Sequence, residues 1–203
     1  MGSDSHIALD GSSDLVVGFF ECSLNSILYQ RGIYPPEDFQ QKKRYGISVL
    51  MSINEELNAY LDDIIQQLKA WLQTNKISKL VLVIKSKDTN ETLERWQFDV
   101  NVNKSTHGVD DTSSQNDSKN TTQEIRSIMR QIVASVSFLP TLDDDCTFNV
   151  LVYASEDVEV PITWTDSDAN LIPGGGEHIR LRSFSTAVHK VDAVVAYRVE
   201  DSI

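Results

Sequence analysis

The chain has 203 residues, of which 40% are hydrophobic, 24% charged and 8% aromatic, enough to bury a sizeable core under a polar surface. That balance excludes a small disulfide scaffold and a disordered chain. Eighteen Lys and Arg against thirty Asp and Glu leave a formal charge of −12, so the average surface repels phosphate and anionic lipid, and no direct contact with nucleic acid or membrane is expected. The basic run Lys42-Lys43-Arg44 reads as solvated surface. Met1 to Asp10 has neither the basic start nor the apolar stretch of a secretory leader, so an intracellular protein is expected. The longest apolar run, Leu80 to Ile84, is strand-sized. Cys22 and Cys146 read as small buried hydrophobes.

In chain order, Leu15, Val16, Phe19, Phe20, Leu24, Ile27 and Leu28 recur at helical steps and predict a helix over Ser12 to Arg31, ended by Gly32 and Pro35-Pro36. Tyr45 to Met51 is a candidate short strand. Ser52 and Glu55 have capping-box spacing ahead of a second helix carrying Leu57, Tyr60, Leu61, Ile64, Ile65, Leu68, Trp71 and Leu72 on one face. Lys79 to Lys85 is a central strand, and the alternation through Trp96, Phe98, Val100 and Val102 makes its half-buried hairpin partner. Trp71 and Trp96 both continue apolar periods and are expected in the core. Lys104 to Asn120 is almost devoid of apolar residues and reads as a mobile loop. Thr121 and Glu124 repeat the capping spacing ahead of a third helix with Ile125, Ile128, Met129, Ile132, Val133 and Val136 on one face, stopped by Pro140.

Cys146 to Tyr153 is a further strand, apolar on both faces at its end and expected to be buried on both. The tail differs from everything before it. Acidic residues, Pro161, Trp164, Pro173 and Gly174-Gly175-Gly176 precede two strand-like stretches, Ile179 to Phe184 and Val188 to Val199. The glycine run reads either as a plain surface connector or as a hinge that lets the tail take more than one position.

No chemistry of turnover is legible. No Ser or Cys sits in a nucleophile elbow, His6, His107, His178 and His189 have no zinc-like spacing to a cysteine, and Asp143-Asp144-Asp145 lacks the alternating ligands of a calcium loop. Pro173 to Gly176 is followed by no Lys-Ser/Thr and opens no helix, so it is no phosphate loop. The expectation is a binding module without cofactor or metal, not an enzyme, that recognises through a sheet edge and its tail.

Several multi-residue words carry a family resemblance. They are Asn25-Ser26-Ile27-Leu28-Tyr29-Gln30-Arg31-Gly32-Ile33-Tyr34-Pro35, Leu93-Glu94-Arg95-Trp96-Gln97-Phe98, Ile128-Met129-Arg130-Gln131-Ile132, Phe138-Leu139-Pro140, Leu181-Arg182-Ser183-Phe184-Ser185-Thr186 and His189-Lys190-Val191. In this order, from about Leu9 to Val199, the chain resembles the HORMA-domain family in its spindle assembly checkpoint branch, of fungal type. The resemblance implies an α+β fold with three long helices packed on a central, mainly antiparallel sheet and a mobile C-terminal safety belt. The chain then divides into a flexible N-terminus at 1–8 and one domain at 9–200, with its core at 9–155, its belt at 156–200 and the mobile loop at 104–120.

In such a fold the belt occupies a sheet edge in an open state, and in a closed state it moves and wraps a short partner peptide. The peptide-binding residues implied are Phe148, Val150, Leu151, Val152, Tyr153, Trp164, Ile179, Leu181 and Phe184, and those joining an open to a closed copy are Arg130, Gln131, Phe138 and Arg182. The partners implied are a coiled-coil kinetochore checkpoint protein, the activator of the anaphase-promoting complex, which is inhibited until kinetochores attach, another copy of the chain, and a checkpoint-silencing HORMA-like adaptor with its ATPase. The locations implied are the nucleus, the nuclear envelope and its pores in interphase, kinetochores in mitosis, and the cytoplasm. The alternative is another HORMA adaptor, of the meiotic axis, translesion polymerase or autophagy, capturing a different peptide.

Overall fold

The computed structural model describes residues 3–103, 114–162 and 164–199. Helix α1 (Ser3–Gln30) starts well before Ser12, and the polar residues of Ser3 to Asp10 concealed that start because they supply no apolar stripe. Val16, Phe19, Phe20, Leu24, Ile27 and Leu28 are wholly buried, and Ser12, Ser13, Ser23, Asn25 and Ser26 are buried too. A helix covered nearly all round belongs in the middle of the fold. It ends where Gly32, at φ 65, lets the Ile33 N–H reach back to the Leu28 carbonyl at 3.0 Å.

Strands β1 (Phe39–Arg44) and β2 (Ile47–Ser52) form an antiparallel hairpin. Tyr45 and Gly46 join them at φ 50 and 71, the paired positive values a tight hairpin turn requires. The sequence expectation held only the second strand, since β1 has a single buried residue, Phe39, and exposes Lys42, Lys43 and Arg44. Helix α2 (Glu55–Gln73) is capped by Asn54, whose side chain accepts the Leu57 N–H at 3.0 Å. Ser52 is not the cap: it is the last residue of β2, and its hydroxyl accepts the Asn54 N–H instead.

Strands β3 (Ile77–Ser86) and β4 (Thr92–Val102) pair antiparallel with Leu82 opposite Trp96 and Leu80 opposite Phe98. Leu80, Leu82, Ile84, Trp96 and Phe98 face the helices in the main core, while Val81 and Val83, alternating onto the outer face, are wholly buried as well. Helix α3 (Ser114–Ala134) takes up the second half of the stretch expected to be a loop; 104–113 lie outside the described residues. Thr121 and Glu124 are therefore inside the helix, not at its start, and they hold the tail: the Thr121 hydroxyl donates to the Ser185 carbonyl at 2.6 Å, and Glu124 accepts the Ser185 N–H at 3.0 Å.

After α3 a 3-10 turn, Ser135–Ser137, leads to β5 (Cys146–Ala154), and the tail forms β6 (Glu177–Arg180), β7 (Phe184–Ser185) and β8 (His189–Tyr197). The sheet order is β5-β3-β4-β8-β6, with β7 also on β8. This is the α+β arrangement expected, three helices against a mainly antiparallel sheet.

A buried ion pair ties its parts together. The Arg31 guanidinium, at the end of α1, lies 2.5 Å from the Glu94 carboxylate of β4, with both side chains almost without exposure. The Trp96 indole N–H donates to the same carboxylate at 3.0 Å, and Arg31 also donates to the Pro140 carbonyl at 2.5 Å. Burial raises the Glu94 pKa, and Arg31 and the indole oppose that rise. Removing one partner strands the other charge in a dry interior. Glu94→Ala is expected to lose about 3–5 kcal/mol of stability in urea unfolding, and an unchanged midpoint would mean that water reaches the pair.

Candidate functional site

Strand β5 is paired only on its β3 side, so its other edge meets no strand among the described residues. Phe148, Val150 and Val152 lean on the core, with Tyr34 and Tyr60 set edge-on to the Phe148 ring at 6.1 and 5.7 Å. Tyr60, expected on the apolar face of α2, is itself 42% exposed. Burial raises its phenol pKa, and the Val150 backbone opposes the rise. Leu151 and Tyr153 alternate onto the outer face. The expectation of a strand buried on both faces is corrected, since every residue of β5 is half-buried or exposed, Cys146 included. A strand with one neighbour has one open flank.

The chain leaving β5 encloses that flank. The Ser155 N–H donates to the Lys76 carbonyl at 2.8 Å, Asp157 pairs with Lys76, and Trp164 packs edge-on against Trp71 of α2, ring centres 5.4 Å apart. A few residues later it lies on the opposite side of the sheet: Arg95 Nε donates to the Ala169 carbonyl at 3.2 Å and Lys85 Nζ to Asn170 Oδ1 at 3.1 Å. One anchor is in the helical layer and the other on the outer face, so the segment passes round β5. Val160 is 56% exposed and Ile162 fully exposed along this passage, apolar side chains with nothing to cover.

The segment rejoins the sheet at the far edge. Gly174, Gly175 and Gly176 take φ values of 73, 89 and 64, and a Cβ at Gly176 would collide with the Tyr197 carbonyl oxygen, so the glycine run is a turn that side chains would strain. Four strand spacings put β6 about 19 Å from β5. The residues implied for peptide binding are therefore divided. Phe148, Val150, Leu151, Val152, Tyr153 and Trp164 gather at the free edge, whereas Leu181 and Phe184 are buried in the far core, Phe184 against Phe19 at 4.8 Å, and Ile179 sits on β6. Those three anchor the tail.

A buried polar junction fixes the start of β8. His189 Nε2 lies 3.1 Å from Asn75 Oδ1 and its Nδ1 2.8 Å from the Ser12 hydroxyl, which also contacts Thr186. The Asn75 oxygen only accepts, so Nε2 carries the proton and Nδ1 accepts from Ser12. Neither this junction nor the Arg95 and Lys85 contacts are foreshadowed by spacing, because their partners are far apart in the chain.

A second surface lies across α3 and the tail. Arg130, Phe138 and Arg182 are exposed, and Gln131 is half-buried, its Oε1 accepting the Arg182 N–H at 2.7 Å. Val133 and Val136, expected to face inward, are 48% and 49% exposed beside Phe138. The helix closes at Ala134 into the 3-10 turn, which turns Val136 out of the helical stripe. Among the described residues no group of His, Cys, Asp and Glu is placed to hold a metal, and no helix is long and apolar enough to cross a membrane.

A sheet edge enclosed by its own tail, over three helices, defines a class of fold, and the sequence profile of the HORMA domain matches residues 12–189. The chain belongs to the HORMA-domain family. It is 48% identical over 195 residues to the mitotic spindle checkpoint component mad2 of Schizosaccharomyces pombe, covering 96% of each chain. To the human mitotic spindle assembly checkpoint protein MAD2A it is 43% identical over 200 residues, covering 98% of this chain and 96% of that one. One chain of a crystal structure of the mitotic checkpoint complex superposes with a TM-score of 0.85 at 49% identity, covering 93% of this chain and 99% of that one. These similarities place the chain in the spindle checkpoint branch of the family.

The junction at His189 has a pH consequence. Burial lowers the His189 pKa below its usual 6.5, so the unfolded chain binds the extra proton first, and stability falls as pH drops below that value toward the folded one. Urea midpoints are expected to fall between about pH 7.5 and about pH 5.5, and by less in His189→Gln. Equal falls would place the sensitivity elsewhere.

Proposed function

We propose that the chain captures an extended segment of a partner protein as an added strand on β5, beneath the 155–176 passage, and in that state inhibits the activator of the anaphase-promoting complex. The observation that carries this reading is the free β5 edge encircled by a segment anchored on both faces of the sheet. An added strand gains main-chain hydrogen bonds from the edge, and the apolar side chains of the passage gain a surface to cover. Release requires the passage to unfasten, so dissociation is slow.

The arrangement with the tail on β4 is, in this reading, the closed conformer, and the open conformer returns the tail to the β5 edge. The partners are the coiled-coil kinetochore checkpoint protein and the activator, captured in turn, in a non-enzymatic cycle at kinetochores in mitosis and at the nuclear envelope in interphase. The surface of Arg130, Gln131, Phe138 and Arg182 receives the open copy or the HORMA-like adaptor that works with its ATPase.

Two substitutions separate these surfaces. Trp164→Ala removes the helical-layer anchor and is expected to speed release of partner retained from mitotic extract at least about ten-fold, with the melting temperature little changed because Trp164 is only half-buried. Unchanged release would remove the passage from capture. Arg130→Glu is expected to leave partner retention intact and to make the protein monomeric in sedimentation; continued dimerisation would remove Arg130 from that surface.

A further inference from the structure

We infer that Arg95 and Lys85 form a two-point electrostatic latch that holds the passage closed over the outer face of the sheet and sets how often it opens. Arg95 uses every nitrogen of its guanidinium. Nη1 donates to Gln97 Oε1 at 2.6 Å and Nη2 to the Tyr153 hydroxyl at 3.2 Å, which fix the plane, and Nε is left pointing at the Ala169 carbonyl. Gln97 is held in turn by Asp99 at 2.9 and 3.0 Å, and Lys79 lies against both the Tyr153 ring and Asp99. The sheet thus presents a preset donor, and the loop brings only main chain to it.

The second point works through a side chain. Asn170 sits at φ 46, and its amide donates to the Asp168 carbonyl at 2.7 Å, which turns Oδ1 toward Lys85. Asparagine tolerates that backbone conformation better than most residues and supplies the acceptor at the same time. Charge assists both contacts. Between residues 155 and 179 the sequence has no Lys or Arg, and Glu156, Asp157, Glu159, Asp166 and Asp168 lie in the passage, so the two cations are a counter-charge placed where it crosses. Both points lie outside the core, which lets them act on opening without being needed for folding.

The meaning of the latch for release rests on the capture reading, but its test needs no partner. Amide exchange of the full chain, read by mass spectrometry, follows residues 164–176 against β3, β4 and β6 in the wild type, Arg95→Gln, Lys85→Met and the double variant. Each single variant is expected to speed exchange in 164–176 about ten-fold, and the double variant more, with β3, β4 and β6 unchanged. Raising the salt concentration is expected to speed the wild type more than the double variant, in which the Lys76–Asp157 pair is the remaining charged contact. Lys85→Met keeps the test decisive if Arg95→Gln loosens the sheet through Tyr153 and Gln97, because Lys85 touches Asn170 across the passage. If Lys85→Met leaves 164–176 as protected as the wild type, or if exchange rises equally throughout the sheet, the latch is overturned. A chain that behaves as predicted yet retains no partner would overturn the capture reading and leave the latch standing.

Discussion

A sheet edge exposes backbone donors and acceptors that must meet water, a side chain or another strand, and this sheet ends differently on its two sides. Beyond β8 it ends in β6 and β7, strands of four and two residues, short enough to offer little to pair with. On the other side it ends in the nine residues of β5, which meet no further strand among the described residues although Leu151, Tyr153 and the Tyr60 and Phe148 rings line the flank and the chain loops round it. An edge that were merely to be protected would carry bulges, prolines or lysines, as β1 does with Lys42 and Lys43. The sequence of β5 holds neither proline nor lysine, and its flank is enclosed by the passage yet left half-exposed.

The rest of the fold serves that difference. The tail must span the sheet, so its far end needs firm anchors: Phe184 inside the core, Ser185 held by Thr121 and Glu124, and His189 locked to Ser12 and Asn75. The near end needs weaker ones, because a passage that never opened would admit nothing. Its contacts are Lys76 with Asp157, Trp71 with Trp164, and the two cations on the outer face, each partly solvated and each small beside the burial of Leu181, Phe184, Val191 and Val195. Local opening at one end and cooperative docking at the other follow from that gradient of burial.

Much of this was legible in the sequence wherever burial follows a period. The pentad Leu80 to Ile84, the stripe of α2 and the alternation through Trp96 and Phe98 each announce an element, and Trp71 and Trp96 are in the core as their periods required. Periodicity failed where polarity hid an element: β1 has only Phe39 to show, and the Asn/Ser/Thr-rich stretch after residue 113 is helical. Local signatures also misled, because Thr121 and Glu124 on a helix surface have the spacing of a cap whether they bind their own helix or the tail. The resemblance supplied the names of the edge residues, but not that Leu181 and Phe184 would lie about 19 Å from the edge they were grouped with. Arg95 and Lys85 read as ordinary alternating charges on a strand, since nothing local distinguishes a solvated cation from one awaiting a loop 74 residues later.

Backbone NOEs in an isotope-edited NMR spectrum of the chain carrying a captured peptide decide whether an added strand pairs with β5 or with the tail's own strands. Cross-strand contacts are expected between the peptide and Phe148 to Tyr153, with β8 still paired to β4. Contacts from the peptide to β6 or β8, with β5 unperturbed, would overturn capture at β5.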